Sequence, residues 1–63
     1  MRTICIVISD DDYPVIWDIE DNFACFTSTR IAYHLAYDTM LEVTIKARQE
    51  DMPAIERKLA PYM

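Results

Sequence analysis

The sequence predicts an α+β domain: a small antiparallel sheet of three or four strands with one or two helices on one face, in the order β-β-(β)-α-β-α. Three observations predict it. Residues 2–9 and 41–48 alternate in the two-residue period of half-buried strands, whereas residues 27–38 and 51–62 open on capping residues and continue at helical spacing. The chain has 63 residues, 52% of them hydrophobic. That is one domain (1–63) with a thin core, since a chain this short buries only roughly 60% of the surface its unfolded form exposes.

In the first segment Ile4, Ile6 and Ile8 share one face of a β-branched strand, with Thr3, Cys5, Val7 and Ser9 on the other. Asp10-Asp11-Asp12-Tyr13-Pro14 reads as a turn, because aspartates bond their local backbone and Pro14 cannot donate to a ladder. Val15 to Glu20 is then expected to return as the partner strand of a hairpin, Val15, Trp17 and Ile19 pointing in and Ile16, Asp18 and Glu20 out. Phe23 to Phe26 fits either a short third strand or a buried lead into a helix.

Thr27-Ser28-Thr29 reads as an N-cap, after which Ile31, Ala32, Leu35 and Ala36 would line a helix to about Asp38. Leu41 to Arg48 alternates without a fault, as a strand with one wet face does. Asp51 caps a last helix with Pro53 in its first turn, Met52, Ile55, Leu59 and Tyr62 as its apolar stripe, and Arg57 and Lys58 near its C-terminus, where the dipole favours cations. The expected core is Ile4, Ile6, Ile8, Val15, Trp17, Ile19, Leu35, Val43, Ile45, Ile55 and Leu59.

Glycine is absent, which removes the Walker loop, the dinucleotide fingerprint, the nucleophile elbow and the standard EF-hand loop. Asn22 is the one asparagine, and so the residue best suited to a left-handed turn. The longest apolar run, Ile4 to Ile8, falls far short of the roughly 20 residues of a membrane span. The N-terminal residues lack the charged, apolar and small-residue regions of a signal peptide, so a cytoplasmic protein with Cys5 and Cys25 as free thiols is expected.

Charge carries the one functional signal. The first 29 residues hold six acids (Asp10, Asp11, Asp12, Asp18, Glu20, Asp21) against Arg2, while the remainder balances five bases with five acids. Such a cluster is either a solvated hairpin that keeps a sheet edge from aggregating, or a surface that competes with a phosphate backbone for a basic groove. Either way it argues against direct nucleic-acid binding. Asp10, Asp12 and Asp18 as a site for a hard cation, His34 with Asp38 as an acid–base pair, and Cys5, Cys25 and His34 as a partial zinc site are each incomplete against the spacing their chemistry needs. No cofactor, metal or catalytic residue is therefore expected. Cys5, Val7 and Ile16, with Tyr33 and Tyr37 alongside, form a second apolar face that a helix or a second copy would cover.

A short glycine-free acidic chain with Ile-Ser-Asp-Asp-Asp-Tyr at a turn and Thr-Ser-Thr-Arg after it resembles the small phage proteins that disable host machinery, anti-CRISPR proteins and host RNA-polymerase inhibitors among them. The resemblance implies a non-enzymatic viral inhibitor that blocks a nucleic-acid-binding host complex such as a CRISPR effector, in some members as a DNA mimic. On this reading Asp10, Asp11, Asp12, Asp18, Glu20 and Asp21 make the partner-binding surface, with Tyr13 as an aromatic anchor. The alternative is a small homodimeric structural or regulatory module whose acids keep it soluble.

Overall fold

A computed structural model describes all 63 residues. Strand β1 (Arg2–Ser9) runs through a 3-10 turn at Asp10–Asp12 into helix α1 (Pro14–Asn22), followed by strands β2 (Cys25–Leu35) and β3 (Asp38–Ala47), and a second 3-10 turn leads into helix α2 (Met52–Leu59). The class is α+β as expected, but the order is β-α-β-β-α. The sheet has three strands in the order β1-β3-β2, with β3 antiparallel to both neighbours. Strands β1 and β2 are therefore parallel to each other with β3 between them, a split β-α-β unit whose crossover is α1.

Two elements differ from the sequence reading. Residues 15–20 are helix and do not return as a hairpin strand. Pro14 stands in the first turn of α1, where its missing N–H costs nothing, and the three aspartates before it lie at the positive end of the helix dipole. Ile16, Ile19 and Phe23 fall at i, i+3 and i+7, so Ile16 and Ile19 are fully buried and Phe23 packs against the core. Trp17, expected inside, is 59% exposed. Residues 30–35 are strand where a helix was expected: Cys25, Thr27, Thr29 and Ile31 face Ala47, Ile45, Val43 and Leu41 in one regular ladder. A register shift between Ile31 and Tyr33 breaks it near the Ala36-Tyr37 turn, which leaves Leu35 exposed.

The other elements fold as the patterns predict. Ile6 and Ile8 of β1, Val43, Ile45 and Ala47 of β3, and Met52, Ile55 and Leu59 of α2 join Ile16 and Ile19 in one core, with Ile4, Val15 and Tyr62 partly buried at its margin. No residue has positive φ, so the turns are built without the left-handed conformation considered for Asn22; its side chain instead bonds the Asp18 carbonyl at 2.7 Å.

Both helices supply the same core, so they cover one face of the sheet and leave the other open. Cys5 and Val7 lie on that open face with Phe26 and Tyr33, and neither helix covers them. Ile16 has left the second apolar face for the core. Cys5 and Cys25 are free thiols on opposite faces, since Cys25 pairs with buried Ala47. The molecule measures 38 × 18 × 17 Å, the long axis matching the about 36 Å of an eleven-residue strand at about 3.3 Å per residue. No helix is long and apolar enough to cross a membrane.

Candidate functional site: an acidic helix with an exposed tryptophan

The acids flank an aromatic pair. Tyr13 and Trp17 stand one helical turn apart, their rings edge-to-face with centroids 5.8 Å apart. Tyr13 is half-buried, and its hydroxyl shares a hydrogen bond of 2.8 Å with Thr29 Oγ1 on β2. That anchor fixes the ring against which Trp17 leans, so the indole is held in place and still presented to solvent. Asp21 is one further turn along, so Tyr13, Trp17 and Asp21 form a single stripe, with Asp18 and Glu20 on its flanks.

The six acids do not share one environment. Asp18 is neutralised by Lys58 of α2, whose Nζ donates at 2.6 Å, and Asn22 Nδ2 donates to its other oxygen at 2.9 Å. Glu20 accepts from Thr27 Oγ1 at 3.3 Å. Asp10, Asp11, Asp12, Glu20 and Asp21 have no basic partner. Five uncompensated carboxylates thus lie on α1 and on the turn that leads into it, the helix that also carries the exposed indole.

The 3-10 turn gathers a different trio from the one the sequence suggested. Asp10, Asp11 and Asp38 have carboxylate oxygens within 4.8 Å of one another, whereas Asp18 is engaged with α2. Asp38 is the organised member: Ser9 Oγ contacts its two oxygens at 2.8 and 2.6 Å, and the Thr39 N–H donates at 2.8 Å. The Ser9 hydroxyl chiefly holds the Asp38 carboxyl below its ordinary value, while hydrogen bonding with Asp38, desolvation and the charge of Asp11 push the exposed Asp10 above its own.

A raised Asp10 stabilises the fold when protonated and loses that contribution as pH rises through its folded titration. Asp38 behaves oppositely, its contribution fading as pH falls through a lowered value. Asp10→Asn, which keeps a donor toward Asp38 without the charge, should raise the melting temperature at neutral pH. The gain should vanish in acid, where wild-type Asp10 is itself protonated. Thermal melts across that range check this, and a gain that persists in acid would contradict the pairing.

The other incomplete constellations are dispersed. His34 and Asp38 lie on adjacent strands, His34 Nδ1 meeting Thr39 Oγ1 at 3.3 Å while Asp38 is held by Ser9. Burial, and then the charges of Glu20 and Asp51, push the Cys25 thiol up, the opposite of an activated thiolate.

The chain matches no family model, no curated protein and no solved structure.

Sequence reasoning placed the acids and Tyr13 at this surface and missed Trp17 and Asp38. Trp17 was recoverable from the helical spacing of Ile16, Ile19 and Phe23, which puts position 17 outside. Asp38 was singled out only as a partner of His34, and its place beside Asp10 and Asp11 carried no sequence signal, because only the antiparallel register of β1 and β3 brings the start of β3 to the turn.

Proposed function

We propose that this chain is a non-enzymatic binding protein whose acidic α1 face docks into the basic groove of a nucleic-acid-handling protein and blocks it, a viral inhibitor of a host complex being the role it fits best. One observation carries the reading: Trp17 is 59% exposed and braced by Tyr13 amid unpartnered carboxylates. Grooves that hold single-stranded nucleic acid combine basic side chains for phosphates with apolar or aromatic surfaces for bases. Carboxylates interleaved with aromatic rings present the complementary chemistry on a folded helix. Tryptophan and tyrosine are also the side chains that most often dominate protein interfaces.

The test is competitive capture. Immobilised chain incubated with bacterial lysate at low ionic strength should retain nucleic-acid-binding proteins, release them steeply as salt rises, and lose them to added single-stranded DNA. Retention that ignores both salt and DNA would overturn the proposal, because counterion-linked contacts weaken strongly over that range.

A further inference from the structure

We infer that two copies of this chain pair through the outer edges of β1, antiparallel about a twofold axis at Ile6, to make a continuous six-stranded sheet. The occupant of the β1 edge is thus a second copy, an assignment independent of the proposed host target. Strand β3 fills one side of β1 from Arg2 to Ser9 in unbroken register, and no turn, loop or helix bonds its backbone on the other side. Half of its backbone polar groups consequently point outward along a straight strand. It has neither a proline nor a bulge to protect that edge, and its one charge on the core-side face, Arg2, stands at the very end of the strand opposite Ala47.

Side-chain chemistry selects the register. Residues opposite one another in antiparallel strands share a face, so only pairings that match faces continue the core. With Ile6 on the axis, Ile4 meets Ile8 of the other copy and Cys5 meets its Val7. Arg2 then lies beside the Asp10–Asp12 turn of that copy. Ile4 is packed on the core yet only half-buried, as a core residue at an uncovered edge would be. Arg2 is the one base among the first 29 residues and has no acidic partner in its own chain. Asp11 and Asp12 lack basic partners too. The twofold forms this complementary contact twice, and it puts the two acidic turns at opposite ends of the paired strands, about 25 Å apart and beyond the screening length.

Strand β2 also has a free edge, but its ladder is interrupted between Ile31 and Tyr33. Its segment Cys25–Leu35 holds Arg30 and no acid, so self-pairing would offer that cation nothing of opposite sign; Arg30 already pairs with Glu42 at 2.7 Å.

Sedimentation equilibrium of the full chain should show a concentration-dependent dimer. Arg2→Glu, at an exposed residue without intramolecular partners, should raise the dissociation constant by about tenfold or more at low salt. Combining it with Asp10→Arg should restore dimerisation. In a Cys25→Ser background, Val7→Cys should yield on oxidation a covalent dimer joined between Cys5 and the introduced thiol, whereas Ser28→Cys on β2 should not. A monomer at every concentration overturns the inference. So does a dimer indifferent to Arg2→Glu, a charge swap that fails to rescue, or cross-linking through β2 alone. Host-protein capture by a monomeric variant would leave the proposed function standing.

Discussion

Ile16→Lys should abolish cooperative folding, while Trp17→Lys should leave the melt close to wild type. The two residues are neighbours on α1, and the helix sends one into the core and the other into solvent: Ile16 has no exposed surface, Trp17 is 59% exposed. A lysine at 16 must either bury an unpaired ammonium or pull α1 off the sheet, and truncations of such core side chains alone cost about 2–5 kcal/mol. A domain of this length has a total stability of only about 3–9 kcal/mol at typical values per residue. The variant is therefore expected to be unfolded at room temperature by circular dichroism. Were residues 15–20 a strand with Val15, Trp17 and Ile19 inside, the ranking would invert. A cooperative melt for Ile16→Lys with a collapsed Trp17→Lys would refute the helix.

That inversion shows why part of the fold was hidden in the sequence. Val15, Trp17 and Ile19 satisfy a two-residue period, while Ile16, Ile19 and Phe23 satisfy a helical one, so the segment 15–20 fits both templates. Pro14 was compatible with each, ending a turn or opening a helix. Residues 27–38 failed in the opposite sense: Thr27-Ser28-Thr29 can cap a helix, but Thr27, Thr29, Ile31 and Tyr33 are good strand formers, and pairing with β3 settled the competition. Where a single template fitted, the reading held. Val43 and Ile45 alternate and are fully buried, and Met52, Ile55 and Leu59 make the buried stripe of α2. The candidate site was legible in its charges, because six acids against one base is a property of composition. Its geometry was not, because the outward direction of Trp17 depends on the helix that was missed.

Replacing Asp10, Asp11, Asp12, Asp18, Glu20 and Asp21 by Asn or Gln should leave the chain folded and reduce capture of a basic host protein by orders of magnitude, mainly through a slower on-rate. Asp18 is the member to watch for stability, since its replacement leaves Lys58 without its 2.6 Å partner; both side chains are partly exposed, so the cost should be small. Trp17→Ala should act differently. It removes no charge, so association should stay fast, while loss of the indole should raise the off-rate and weaken binding by roughly 30-fold or more, the about 2 kcal/mol or more of an interface hot spot. Surface plasmon resonance on the captured partner separates the two effects. Neutralising Glu42, Glu50 and Glu56 is the matched control, because these acids lie outside the first 29 residues and two of them, Glu42 and Glu50, already face arginines at 2.7 and 3.9 Å. Equal losses from both sets of acids would mean that net charge alone matters. If Trp17→Ala binds as wild type does, the contact is not centred on Trp17, and the exposed apolar residues of β2, Phe26, Ile31, Tyr33 and Leu35, become the surface to test.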